Sequence, residues 1–199
     1  MNRLIIIGAS GHGKVAADIA TLMGYEDIVF LDDDENVKAC AEWPVIGKSK
    51  NAPDGEIFVA IGNTKIRKHL MEYYKGRKFP VLIHPDAVIA ADTKIGDGSV
   101  VMAGVVINSG AYIGNGCIVN TSSSIDHDCR IGDYVHIAVG AHVCGTVIIE
   151  DCTWIGAGST ISNNVSICEA CIIGAGTVVV KNIIESGTYV GIPAKLMRK

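Results

Sequence analysis

The chain has 199 residues, is 49% hydrophobic but only 6% aromatic, and carries a formal charge of −4. This is the reverse of a disordered composition, it is too long and cysteine-poor for a disulfide miniprotein, and its mild acidity speaks against nucleic acid or an anionic membrane as main partner. An apolar chain short of aromatics draws on aliphatics, and β-branched aliphatics point to strands. No apolar stretch reaches the roughly 18 residues of a spanning helix. The run Leu4–Ile7 is too short for a signal peptide. A cytoplasmic protein with no membrane insertion is expected.

In chain order, Leu4–Ile7 reads as a buried strand and Lys14–Met23 as a helix. Ile28–Leu31 and Ile57–Ile61 read as further strands. Thr64–Tyr74 reads as a charged amphipathic helix that Asn63 or Thr64 caps, and Val81–Ile83 as a last strand. Strand–helix–strand alternation implies a small parallel α/β domain of Rossmann-like type over residues 1–84. Pro44, Pro53, Pro80 and Pro85 fall early, Pro193 falls late, and none lies between. Charge divides the chain the same way. Residues 1–84 are neutral, 85–181 carry three basic residues against nine acids, and the tail 182–199 is basic. The boundary is expected near Pro80–Pro85.

From Ile89 onward every sixth residue to Val179 is Ile or Val, sixteen in all. Four places after each of the first fifteen, the residue is small or Val, as in Ser99, Ala111, Cys129 and Thr153. Gly follows the aliphatic at 96, 114, 132, 156 and 174. This reads as one corner type recurring every 18 residues, interrupted at Glu150. An even period turns the same pleat face inward at each unit, and three units close an 18-residue triangular coil. Residues 85–199 are therefore expected to form a parallel β-helix of hexapeptide repeats.

Gly8, Gly11 and Gly13 follow a strand and precede a helix, where glycine permits close approach of a phosphate to the helix N-terminus. The spacing is G-x-x-G-x-G rather than the dinucleotide pattern, and a plain turn reads the same. Asp32 and Asp33 end the next strand, where an acid reads a ribose or base edge; with Asp34 and Glu35 they also read as a solvated acidic loop. His69 stands beside Arg67 and Lys68 on a surface helix, and His84 at the domain junction. His127 lies two places past inward Ile125, between Asp126 and Asp128. Either it is an exposed corner histidine, or a carboxylate raises its basicity and fixes its tautomer. Adjacent strand residues point oppositely, so Asp128 serves His127 only where the backbone bends. His127 plus 18 is Gly145, so the two are expected to stack one coil apart. His136 has Ile118 and Trp154 as register neighbours, and His142 reads as a surface or interface residue. The seven cysteines are odd in number and scattered, which reads as reduced thiols. Cys168 and Cys171 form a C-x-x-C without a second pair, and packing is the expectation there rather than zinc.

The repeat is similar to the left-handed β-helix of hexapeptide acyltransferases. The stretches Ile7–Gly13, Leu31–Asp33 and Ala60–Asn63 resemble the nucleotide-sugar N-acetyltransferases of bacillosamine biosynthesis. Their superfamily includes GDP-perosamine N-acetyltransferases and sialic acid O-acetyltransferases. The resemblance covers the full length. It implies a homotrimer with active sites at subunit interfaces, acetyl-CoA as cosubstrate, no metal, and a UDP-linked 4-amino-4,6-dideoxy sugar as acceptor. It implies that Asp32 and Asp33 contact uridine, with Gly11, His12, Gly13, Gly62 and Asn63 around the rest of the nucleotide sugar. His127 and Asp128 match the catalytic His–acid pair, Gly145 the backbone donor to the thioester carbonyl, and His136 a second histidine. Gly156, Ala157, Gly174 and Ala175 match positions along the pantetheine arm and adenine. Pro193 falls in the terminal G-x-P-A motif, and Lys181, Lys195, Arg198 and Lys199 are candidates for the CoA phosphates. O-acetylation, GDP- or dTDP-linked acceptors, a zinc hydratase and a non-enzymatic β-helix are the alternatives. The histidine gaps of 9 and 6 do not suit the hydratase.

Overall fold

The computed structural model describes residues 3–198. The chain divides into two compact units between Pro85 and Asp86.

The first unit is a small α/β sheet. Its elements are β1 (Leu4–Ile7), α1 (Gly11–Leu22), β2 (Ile28–Leu31), β3 (Ala39–Cys40), β4 (Trp43–Gly47), β5 (Glu56–Val59) and α2 (Thr64–Tyr73). The sheet order is β3-β4-β2-β1-β5, parallel except for the β3–β4 hairpin. The four-residue runs of β1, β2 and β5 are fully buried, as expected for strands covered on both faces. The chain leaves β1 toward β2 on one side and returns to β5 on the other. The C-terminal ends of β1 and β5 therefore form a topological switch point, where open α/β sheets bind ligands.

Two expectations are corrected here. Helix α1 starts at Gly11, so Gly11 and Gly13 stand in its first turn rather than ahead of it. Glycine is a poor helix former and hides the start. A Cβ at Gly13 would collide with the Gly8 carbonyl, so close packing of the turn on the helix excludes a side chain there. In α2, Arg67 is 1% exposed while Ile66 is 49% exposed, so Arg67 does not lie on a surface helix face. Its Nη1 donates to the carbonyls of Ile61 at 2.7 Å and Gly62 at 3.0 Å. Asn63 caps α2, its Oδ1 accepting from Ile66 N–H at 3.1 Å.

The second unit is a β-helix. Two-residue strands recur every six residues from Val88–Ile89 to Val178–Val179. Each pairs in parallel with the strand one coil away, as Ser124 with His142 and Ile125 with Val143. The strands stack as three sheets, the faces of a triangular prism. From Val101 to Val179 every sixth-residue aliphatic is at most 1% exposed. The small residues four places on are also buried, and several satisfy backbone carbonyls. Ser99 Oγ donates to Gly114 O and Ser159 Oγ to Gly174 O, both at 2.8 Å, and Cys129 Sγ to Cys144 O at 3.1 Å. At the coil end Thr188–Val190 adds in parallel to Ile172–Ile173, and Lys195–Leu196 folds back antiparallel on it.

The single glycine register does not hold. Gly96, Gly114 and Gly132 follow strands of one face, whereas Gly156 and Gly174 follow strands of another. They form two corner columns, and Glu150 and Cys168 continue the first. At each corner from Gly98 to Gly176 the third residue turns left-handed. Many of these are glycine, but Asp128 (φ 59°), Thr146 (φ 58°) and Asn164 (φ 61°) also adopt it.

Candidate active site

The corner after Ile125 sets a histidine between two carboxylates. Left-handed Asp128 bends the chain so that its carboxylate turns back on its neighbour, and His127 Nδ1 lies 2.9 Å from Asp128 Oδ2. Asp126 Oδ1 accepts the His127 backbone N–H at 2.8 Å and Asn108 Nδ2 at 2.8 Å. The imidazole is open to solvent. The bond to Asp128, and next the charge of Asp126, raise its pKa above the ordinary 6.5. Asn108 and the His127 N–H in turn hold the Asp126 carboxyl below its usual range.

One coil on is Gly145, and Thr146 N–H donates to the His127 carbonyl at 2.9 Å, fixing the 18-residue register. A Cβ at Gly145 would sit 2.6 Å from His127 Nε2. Glycine is what lets the ring lie over this corner, with Nε2 facing the Gly145 backbone. Among the described residues nothing accepts the Gly145 N–H. A base nitrogen whose far side is tied to a carboxylate thus stands beside an unused backbone donor. That arrangement can take a proton from a nucleophile and stabilise an oxyanion.

The structure brings His127, Asp128 and Gly145 together, but not His136. His136 is on a different prism face, 7% exposed, with its ring 4.1 Å from that of Trp154. His142 is exposed, with Nδ1 2.8 Å from Ser124 Oγ. Cys129 is fully buried, and burial pushes its thiol up to about 11, which removes it as a nucleophile at neutral pH. All seven cysteines are free; Cys168 and Cys171 Sγ atoms lie 3.5 Å apart. No group of three or more His, Cys, Asp or Glu among the described residues is placed to hold a metal ion.

In the first unit the candidate nucleotide residues gather at the switch point. Asp32 Oδ2 accepts Ala9 N–H at 2.7 Å and its Oδ1 accepts Asp34 N–H at 2.9 Å, tying the glycine turn to the end of β2. Asp33 accepts both Ser49 N–H (2.9 Å) and Ser49 Oγ (2.8 Å), and these bonds lower its pKa. His12 Nε2 is buried with no hydrogen-bond partner among the described residues. Burial, and then the Arg67 charge, push the imidazole down to about 4, so it is neutral at pH 7. Buried Arg67 is the residue that sequence reasoning missed. Its one signal was position, four places after the cap Asn63, where helical spacing turns it under the loop Ile61–Gly62. Asn63 spends Oδ1 on the cap, leaving Nδ2 for any ligand.

At the far end of the β-helix, Lys181, Pro193 and Lys195 line one cavity of about 360 Å³ with Tyr189. A Cβ at Gly156 would meet Ile173 O at 2.5 Å, and one at Gly174 would meet Val190 at 2.8 Å. These two glycines serve coil stacking in the first instance. Ala157 O accepts Gly176 N–H at 2.9 Å, and Ala175 N lies in the same packed corner. Arg198 is exposed, and Lys199 lies outside the described residues. No described helix is long and apolar enough to cross a membrane.

A β-helix with a histidine–carboxylate pair at one corner, joined in sequence to a small α/β unit, defines a transferase of the hexapeptide class. Residues 3–74 match the PglD N-terminal domain family, and residues 80–109 match the bacterial transferase hexapeptide family. A GDP-perosamine N-acetyltransferase of Escherichia coli O157:H7 is 33% identical over 163 residues, 76% of this chain and 74% of that protein. A UDP-N-acetylbacillosamine N-acetyltransferase of Bacillus subtilis (strain 168) is 32% identical over 113 residues, and the alignment spans 52% of either chain. The acetyltransferase domain of PglB from Neisseria gonorrhoeae FA1090, solved with acetyl coenzyme A, superposes with a TM-score of 0.93 at 41% identity, covering 98% of this chain and 99% of that one. The chain belongs to the family of nucleotide-sugar N-acetyltransferases.

Proposed function

We propose that the protein transfers the acetyl group of acetyl-CoA to the 4-amino group of a UDP-linked amino-dideoxy sugar, with His127 as general base. The observation that carries the reading is the corner itself: Nδ1 of His127 on Asp128, and Nε2 over Gly145. The neutral imidazole accepts a proton from the sugar amine at Nε2. The amine attacks the thioester carbonyl, a C–N bond forms, and the oxygen becomes anionic. The Gly145 N–H donates to that oxyanion, a contribution of about 2–4 kcal/mol. Collapse breaks the C–S bond, CoA leaves as thiolate, and the proton held by His127 passes to solvent or to the thiolate. Asp128 orients the ring and stabilises the imidazolium. Buried Cys129 is not the nucleophile of an acyl-cysteine route.

The nucleotide sugar is assigned to the first unit, where Gly11, His12, Gly13, Asp32, Asp33, Gly62 and Asn63 surround the switch point. The likeness to the UDP-N-acetylbacillosamine N-acetyltransferase favours UDP. A GDP-linked acceptor is the second reading, favoured by the perosamine enzyme's longer alignment. The CoA moiety is assigned to the C-terminal coils, with Gly156, Ala157, Gly174, Ala175, Lys181 and Pro193, and the working unit to a homotrimer with active sites at subunit interfaces. His136, which the resemblance matches to a histidine that assists the substrate or thioester, packs on Trp154 from its own face.

The test is His127→Ala. Thiol release from acetyl-CoA with a UDP-4-amino-4,6-dideoxy sugar should fall at least about tenfold in kcat while CoA binding survives. Near-normal turnover would remove His127 as the base. Running the same assay with UDP-, GDP- and dTDP-linked amino sugars separates the two acceptor readings, and mass spectrometry of the product separates amide from ester.

A further inference from the structure

Glycine is soft about both backbone dihedrals, so a donor N–H at Gly145 keeps its direction only if the peptides on either side are pinned. On one side the Cys144 carbonyl accepts the Cys129 thiol at 3.1 Å. On the other side the Gly145 carbonyl accepts Asn164 N–H at 3.1 Å and the Thr146 hydroxyl at 2.6 Å. That hydroxyl also lies 2.6 Å from Asn164 Oδ1, so its one proton is shared between two oxygens. The Thr146 N–H meanwhile holds the His127 carbonyl. A single residue ties together the coil of the base, the coil of the donor and the coil beyond.

The conformation that permits this is unfavourable. Thr146 has φ 58° and is the one β-branched residue among the described non-glycine residues in the left-handed region. A β-branched side chain there is a genuine outlier, and outliers of this kind collect at functional sites. The fold does not demand it, since glycine fills the same corner position at Gly110 and Gly140.

We infer that Thr146 is a positioning residue for acyl transfer, its hydroxyl holding the Gly145 carbonyl so that the N–H on the other side of Gly145 stays aimed beside His127 Nε2. The inference rests on the reading of His127 and Gly145 given above. Thr146→Val keeps shape and branching and removes the hydroxyl. It should lower kcat about tenfold, with KM for acetyl-CoA within about twofold and the acid limb of the pH–rate profile in place. Thr146→Ser keeps the hydroxyl and should hold kcat within about twofold of the parent. Thr146→Gly removes the strained side chain, and it should match the valine variant in kcat with a Tm within about 2 °C of the parent. If the valine variant does not fold, the glycine variant carries the comparison. Parental turnover in the hydroxyl-free variants, a serine variant as slow as the valine one, or a loss confined to KM would each overturn the inference. His127→Ala measured beside them separates the two failures. If it turns over normally, the corner is misread; if it is silent and Thr146→Val is fully active, only the role of Thr146 falls.

Discussion

His127 has an ordinary side chain in an unusual setting, and its two carboxylate neighbours act differently. Asp128 touches the ring at Nδ1, while Asp126 touches only the backbone and acts on the ring through its charge. Both raise the imidazole pKa, Asp128 more. A general base works when neutral, so a raised pKa places the acid limb of kcat/KM above pH 6.5, and activity is lost as pH falls through it. Asp128→Asn removes the charge yet suits the left-handed backbone, since asparagine tolerates it. The limb should then move to lower pH, and the plateau should fall about tenfold or more as the imidazolium loses its stabilising partner. A pH–rate profile between about pH 5 and 9 reads both effects. An unmoved limb would show that Asp128 does not set the basicity of the ring. This dyad was visible in the sequence only as a condition, because adjacent residues on a straight strand face apart. The left-handed φ of Asp128 that meets the condition belongs to the corner.

At the scale of elements, legibility followed periodicity. The hexapeptide repeat declares its inward face in every unit, and the coil of 18 residues follows from it. The β3–β4 hairpin does not declare itself. Its five-residue strand contains Pro44 and Gly47, alternates exposure and is flanked on its outer side only by the two-residue β3, so it reads as loop. Arg67 inverted the expected face of α2 because two carbonyls outweigh the cost of burying its stem and charge there. The glycines were legible as corners but not as two columns, since period 6 fits all of them and only the strand order separates them. The space around each glycine predicts unequal costs. Gly156→Ala places a methyl 2.5 Å from Ile173 O and 2.6 Å from Ala175 N, backbone atoms that cannot swing away. It should destabilise by about 1–3 kcal/mol. Gly11→Ala meets nothing within 4 Å at the start of α1 and should be neutral, or stabilising by up to about 1 kcal/mol. Urea unfolding of the two variants measures the contrast, and equal shifts would contradict the tight coil contact at Gly156.

At the scale of the molecule, the aliphatics that fill the prism are not the only ones. Val88 and Val106 stand exposed on one face, Tyr112 and Ile148 on a second and Ile172 on a third. Tyr112, Arg130 and Ile148 form one outward column, and with Glu150, Asp151 and Glu169 they line a groove of about 470 Å³. Apolar side chains grouped with charged ones in such a groove suit a surface that the proposed trimer covers. A closed ring of three buries such a face without leaving an open edge. The proposed trimer should therefore show about 63 kDa in light scattering, three times the 20.9 kDa chain. Ile148 is 44% exposed in the single chain, so Ile148→Asp should leave the fold of one chain intact. Covered by a neighbour, the new carboxylate would have to be buried, at a cost of several kcal/mol. The variant should therefore shift toward the mass of a single chain and, if the proposed sites lie at subunit interfaces, lose acetyl transfer with it. A variant that remains trimeric and active would move the contact off this face. A parent protein that scatters as a single chain would dispose of the trimer itself.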